Sequence, residues 1–267
     1  MITSLHSSHV EMVKALLGSR GAKARKESGC YVIESLQNIE SVLDNAADQV
    51  QTLYYTAEGL NRLSGKQLHN VELVEVSPEV MKAMADTVTP QGLLAIAKIP
   101  HHELEEFNFY NKERLKIAYF WQIQDPGNAG TVVRAADAFG FDAVCFSPES
   151  VDVYSPKVVR STAGSLWQIP VFEEVSASQM QNFANQNNCQ LFAAEGQGDV
   201  ELRDAVNSAK GGKAVWVFGN EARGLPHSLI SEMGAQAVRI PISERVESLN
   251  LATAAAVVMY AVSDAAE

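Results

Sequence analysis

Two hydrophobic periods alternate along this chain. In HVEMVKALLGS, from His9, the apolar residues Val10, Val13, Leu16 and Leu17 recur at the spacing of one helix face. CYVIES, from Cys30, and QTLYYTA, from Gln51, are apolar runs of strand length, with the helical pattern NIESVLDNA between them. VELVEVS, from Val71, reads as a third strand. Pro78 then opens the helix PEVMKAMAD at its first turn, and GLLAIAKI, from Gly92, reads as a fourth strand. The stretch PHHELEEFNFYNKE is polar and acidic without a period, and it reads as a linker. Its adjacent His101 and His102 read as solvated side chains rather than ligands.

From Leu115 the alternation is cleaner. LKIAYFWQI, AVCFSP, IPVFE, QLFAAE, AVWVFGN and QAVRIPI are strand-like, and helix-like segments such as SASQMQNFANQNN lie between most of them. Continuous apolar strands alternating with helices predict a parallel sheet covered on both faces. An Ala-rich terminal helix is expected from SLNLATAAAVVMYAVSDA, with Ser248 as its N-cap. The expected organisation is a small α/β domain over 1–100, a linker over 101–113 and a larger α/β domain over 114–267.

Composition narrows the function classes. The chain has 267 residues, 46% of them hydrophobic, which suffices for one large or two modest cores. Its net charge of −11 counts against a wholly basic nucleic-acid binder and leaves room only for a local patch. Residues 10–30 supply one: Lys14, Arg20, Lys23, Arg25 and Lys26 stand against Glu11 and Glu27. GSRGAKARK is expected to form a loop there, either meeting phosphates or simply solvated. Arg160, near Lys157, is a candidate second contact. The three cysteines, Cys30, Cys145 and Cys189, are scattered, with no metal-ligand spacing, and read as small buried residues of a reducing compartment. The N-terminus has no apolar targeting core and no run approaches the ~18 residues of a membrane span, so a cytoplasmic enzyme or binding protein is expected.

In an open parallel sheet, ligands bind beyond the carboxyl ends of the strands. Those ends carry QDPGNAGTVVR, GQG, GNEARGLP and SERVESLNLA, three of them with glycine and three with both Asn and a charged residue. GNEARGLP is no Walker A loop, and no full GxGxxG is present, which weakens a nucleotide-dependent dehydrogenase. Arg134 lies in the small, apolar helix-like segment 131–139. Buried and unpaired, it would cost several kcal/mol, so two readings stand: a structural pair with Asp137, or a group facing an anion or substrate.

Three motifs together, Asn128-x5-Arg134, Gly219-x-Glu221-x-x-Gly224-Leu225 and Ile240-Pro241-x6-Ser248-Leu249-Asn250, resemble the ordered motifs of the SpoU (TrmH-type) RNA ribose 2'-O-methyltransferases of the SPOUT superfamily. The N-terminal hundred residues resemble the L30e-like substrate-binding domain that many members carry. The resemblance implies a C-terminal domain threaded as a trefoil knot, an S-adenosylmethionine pocket contacted by Gly219, Ile240 and Leu249, and a homodimer. It implies that Arg134 is the catalytic arginine, that Asn128, Ser248 and Asn250 orient it or the substrate, and that Glu221 holds Arg134 or Asn128 in place. It implies no metal. Ribosomal RNA is the expected substrate over transfer RNA. Arg20, Lys23, Arg25, Lys26 and Arg160 are the candidate RNA contacts. The alternative outside catalysis is an RNA-binding or assembly factor of the same fold. One departure is Ser243–Glu247, where many members have a glycine-containing loop.

Overall fold

The computed structural model describes residues 1–264 apart from 67, 69, 70, 108, 110, 111, 210 and 211. It divides into two compact units: Met1–His101 with Asp152–Gln168, and His102–Val151 with Ile169–Glu267.

In the first unit the chain runs α1 (Ser8–Leu17), α2 (Gly21–Ser28), β1 (Cys30–Glu34), α3 (Leu36–Asn45), β2 (Val50–Tyr55), α4 (Ala57–Arg62), β3 (Glu72–Glu75), α5 (Pro78–Met84) and β4 (Leu93–Lys98). The strands form a sheet in the order β1-β4-β2-β3, antiparallel except for β2 with β3. Ser7, Ser35, Thr56 and Ser77 each cap the helix that follows by accepting a backbone N–H, and Pro78 takes the first helical position of α5. Val10, Val13 and Leu16 of α1 pack with Val80, Met81 and Met84 of α5 over Tyr54, Leu94 and Ile96, as the periodicity predicts.

The second unit contains β5 (Leu115–Phe120), α6 (Pro126–Ala138) and β6 (Ala143–Phe146). The chain then returns to the first unit for α7 (Pro156–Ser161). It resumes in the second with β7 (Val171–Phe172), α8 (Ala177–Asn187), β8 (Gln190–Ala194), β9 (Val200–Glu201), α9 (Leu202–Ala209), β10 (Lys213–Phe218), α10 (His227–Met233), β11 (Gln236–Arg239) and α11 (Leu251–Asp264). The seven strands form one sheet, β7-β6-β5-β10-β8-β11-β9, and every pairing is parallel. The parallel α/β domain expected from the sequence is therefore present. At the last rung of its centre, Phe146, Phe120 and Phe218 lie side by side on β6, β5 and β10, with ring centroids 5.8 and 4.9 Å apart. All three are buried, and they form a rigid aromatic floor directly under the strand-end loops.

Three expectations need correction. The stretch read as a polar linker sends Leu104 and Phe109 into the core of the second unit, where Phe109 meets Phe183 edge-on. Its apolar residues are too few to show a period, yet these two are buried and Phe107 is half-buried against the same core. His102 lies edge-on to Phe107 and Phe172. The basic stretch read as a loop is helix α2, because Gly18 and Arg20 end one helix and begin the next. Finally, residues 152–168, placed by order inside the larger domain, complete the first unit. Asn38 donates to the Val159 carbonyl, Ser41 to the Gly164 carbonyl, and Trp167 Nε1 to the Tyr31 hydroxyl at 2.9 Å.

The helical form of 21–28 decides the fate of Arg25. It is 5% exposed, its Nε and Nη2 grip Asp152 at 2.8 and 2.6 Å, and Nη1 donates to the Leu16 carbonyl. This guanidinium is a structural clamp and is not available to RNA. Arg25→Met leaves Asp152 and the Leu16 carbonyl short of donors, at a cost of about 3 kcal/mol. The loss is expected as a lower urea midpoint at unchanged slope, whereas exposed Lys23→Met stays within about 0.5 kcal/mol of wild type.

Candidate active site

The loops at the carboxyl ends of β5, β10 and β11 build the site. After Phe120 the chain leaves the sheet. Gln122 has a left-handed φ of 50°, and this ends the strand earlier than its apolar pattern suggests. Asp125 then caps α6 by accepting the Asn128 N–H at 2.8 Å, with Pro126 at the first helical position. Asn128 is therefore inside the first turn and its side chain is spare.

After β10 the chain makes a tight hairpin. Asn220 and Gly224 exchange backbone hydrogen bonds of 3.1 and 2.9 Å. The buried Asn220 side chain accepts from the Ala222 and Arg223 N–H groups and donates to the Gln122 carbonyl at 2.7 Å. Two glycines make this possible. A Cβ on Gly219 would lie 2.3 Å from the Gly224 carbonyl carbon, and Gly224 has a φ of 64°.

The hairpin presents Glu221 to the start of α6. Its carboxylate accepts the Asp125 N–H at 3.0 Å, the Gln124 N–H at 3.1 Å and Asn128 Nδ2 at 3.2 Å. A carboxylate at a helix N-terminus is favourably placed. Partial burial pushes the Glu221 carboxyl up. The hydrogen bonds from the Asp125 backbone, its own backbone, the Gln124 backbone and the Asn128 side chain outweigh burial and hold it below the ordinary value of 4.5.

A second amide continues the chain of bonds. Asn250 Nδ2 donates to Asn128 Oδ1 at 3.2 Å, while Asn250 Oδ1 accepts the Ala252 and Thr253 N–H groups at 2.9 and 3.2 Å. Asn250 is thus the N-cap of α11, a role the sequence suggested for Ser248. Ser248 is exposed and forms no hydrogen bond among the described residues. The cap falls at Asn250 because the backbone of Pro241–Leu249 is irregular, with the helix opening only at Leu251.

Of the residues singled out from sequence, Asn128, Glu221 and Asn250 meet directly. Gly219 shapes the hairpin that carries Glu221, and half-buried Ile240 and Leu249 flank the segment leading to Asn250. Arg134 does not join this cluster. The apolar face of α6 buries Ala129, Val132, Val133 and Ala136, and Arg134 is exposed. It lies six residues beyond Asn128, about 9 Å along the axis and roughly a third of a turn away. The pair with Asp137 is not formed, and the Arg134 side chain has no hydrogen bond or ion pair among the described residues. The desolvation cost weighed in the sequence does not arise.

Sequence reasoning missed Gln122, Gln124, Glu149 and Asn220. The Gln124 side chain donates to the Gln122 carbonyl at 3.4 Å, and that of Gln122 donates to Glu149 Oε2 at 2.7 Å. Two glutamines in WQIQDPG were the available sign, but the apolar neighbours drew Gln122 into the predicted strand.

Comparisons with known proteins assign this parallel α/β fold to an rRNA methylase family. Residues 116–260 match the SpoU rRNA Methylase family, and residues 10–95 match an MRM3-like substrate binding domain. The chain belongs to the SpoU rRNA methylase family. It is 29% identical to an uncharacterized tRNA/rRNA methyltransferase of Synechocystis, over 97% of this chain and 93% of the relative. It is 26% identical to the 23S rRNA (guanosine(2553)-2'-O)-methyltransferase RlmP of Bacillus subtilis, over 89% and 90%. The AdoMet-bound rRNA methyltransferase of Sinorhizobium meliloti superposes with a TM-score of 0.85 at 28% identity, covering 98% of this chain and 96% of that one.

Glu221→Gln tests the network through pH. A depressed carboxyl adds stability that is complete above its unfolded value and vanishes as pH falls through its folded value. Wild type is expected to exceed Glu221→Gln by about 1 kcal/mol near neutral pH, a small figure because the carboxylate is partly solvated. The gap should close as pH drops below the ordinary 4.5, as read by denaturant titration at several pH values.

Proposed function

We propose that this chain is an S-adenosylmethionine-dependent 2'-O-ribose methyltransferase of ribosomal RNA, acting as a cytoplasmic homodimer. The observation that carries this reading is the Glu221–Asn128–Asn250 chain of hydrogen bonds, which ties all three family motifs into one rim. Ribosomal RNA is favoured over transfer RNA because RlmP, similar over most of both chains, is named for 23S rRNA.

The rim suits the cofactor. Gly219 is buried and brings backbone rather than a side chain, and Ile240 and Leu249 add apolar surface. Backbone polar groups beside apolar walls are what an adenine and a thioether chain need. S-adenosylmethionine supplies a methyl on a sulfonium, which is already electrophilic. The task left to the protein is to orient a ribose hydroxyl and to stabilise the charge that develops on it.

Arg134 fits that task because its guanidinium is exposed and free of protein anions. Its permanent charge makes it an oxyanion stabiliser or phosphate anchor rather than a base. Standing apart from Asn128 on its own helix, it would serve the site of a second copy. The exposed apolar residues Val257 and Tyr260 on α11 support a dimer, with Tyr260 packed edge-on against Phe139 just past α6. Glu221 fixes Asn128, which with Asn250 and Ser248 orients the nucleotide or the arginine. The knotted threading is part of the same proposal. On the first unit, Arg20, Lys23 and Lys26 remain exposed as RNA contacts. Arg160 pairs with Asp86 at 2.7 Å, and so loses most of its value to a phosphate.

The test is labelled S-adenosylmethionine with ribosomal RNA from cells lacking the gene. Label is expected in ribose. Arg134→Ala should keep the dimer and cofactor binding while losing on the order of 100-fold in turnover, the scale of one lost oxyanion contact. Label in a base, or full turnover in Arg134→Ala, would overturn the assignment.

A further inference from the structure

A second carboxylate-anchored amide lies at the same rim, and it ends on a cation. The Gln122 N–H donates to Ser147 Oγ at 2.7 Å, and its carbonyl accepts Asn220 Nδ2 at 2.7 Å. Its side-chain Nε2 donates to Glu149 Oε2 at 2.7 Å. Glu149 can only accept, so the amide of Gln122 must turn Oε1 the other way. There it accepts Arg223 Nη2 at 3.1 Å. The left-handed backbone of Gln122, at φ 50°, and of Glu149, at φ 64°, costs energy that these bonds offset.

Arg223 differs from the paired arginines. Arg25, Arg62, Arg160 and Arg239 are each neutralised by a carboxylate, from Asp152, Glu58, Asp86 and Glu201. Arg134 is exposed and its side chain makes no hydrogen bond among the described residues. Arg223 is held in place, yet by a neutral amide oxygen, and no ion pair of it occurs among the described residues. Its side chain makes no other hydrogen bond among the described residues. It projects from the exposed tip of the hairpin, two residues beyond Glu221, in a chain of net charge −11. A cation kept oriented and un-neutralised on such a surface is suited to a diffusing anion.

We propose that Arg223 binds a backbone phosphate of the RNA substrate next to the methylated nucleotide, and that Gln122 is the positioning residue that aims it. This rests on the RNA methyltransferase reading and adds a contact that the three motifs do not include.

Arg223→Met, Arg223→Lys, Gln122→Met and the double Met variant are compared with wild type. Binding of ribosomal RNA from cells lacking the gene is followed as a function of salt, alongside S-adenosylmethionine affinity and methyl transfer. Arg223→Met should weaken RNA binding roughly five- to tenfold and lower the salt slope by about one, with the loss of activity falling on KM for RNA. Arg223→Lys should restore the slope but only part of the affinity, because it keeps charge without the fork. Gln122→Met should weaken RNA binding less, and the double variant should match Arg223→Met, since Gln122 acts through the arginine. Unchanged RNA affinity and slope in Arg223→Met, or a loss confined to S-adenosylmethionine affinity, overturns the proposal while wild-type methyl transfer stands. RNA binding with the expected slopes but no methyl transfer by wild type overturns the enzymatic reading and leaves the phosphate contact in place.

Discussion

One carboxylate sets the geometry of the rim. Glu221 offers only lone pairs, and it accepts two backbone N–H groups from the β5–α6 corner and one side-chain N–H from Asn128. An acceptor that cannot donate fixes the sense of every bond after it. Asn128 must turn Nδ2 toward Glu221, so Oδ1 faces Asn250. Asn250 must then answer with Nδ2, which leaves Oδ1 for the first N–H groups of α11. Three loops separated by as many as 122 residues thus share one orientation.

The sheet makes this economical. Seven parallel strands deliver their carboxyl ends to one rim, and the row of Phe146, Phe120 and Phe218 gives the central loops a closely packed, buried floor. Fixed dipoles and donors are useful in catalysis because they need no reorganisation when charge develops. Asn220, buried beneath the hairpin, supports Glu221 from behind through its bonds to Ala222, Arg223 and Gln122. Around this frame the Arg134 and Arg223 side chains form no ion pair among the described residues, and Gln122 Oε1 accepts from the second.

Much of this could be read from the residues. The apolar runs marked the central strands, and the loops after them marked the rim, because a parallel sheet leaves only that edge for a ligand. Asn128, Glu221 and Asn250 were chosen from sequence and do meet. What escaped depends on partners far away in the chain. Arg25 looked like an RNA contact because Asp152, its partner, lies 127 residues on. Ser248 was the better cap by local pattern, but the irregular segment before α11 carries the helix start to Leu251 and gives the cap to Asn250. Gln122 sits in an apolar run, and nothing local announces a left-handed residue there. Leu104 and Phe109 are single apolar residues in acidic surroundings, so no period could reveal that each is buried.

Hydrogen exchange measured residue by residue tests the central claim most directly. In Glu221→Gln the fixed sense of the amide chain is lost, although the residue 221 side chain makes no hydrogen bond to α11 among the described residues. Faster exchange is predicted at the Ala252 and Thr253 N–H groups, with Met180 in α8 unchanged as the control. Equal protection of Ala252 and Thr253 in the two proteins would contradict the account.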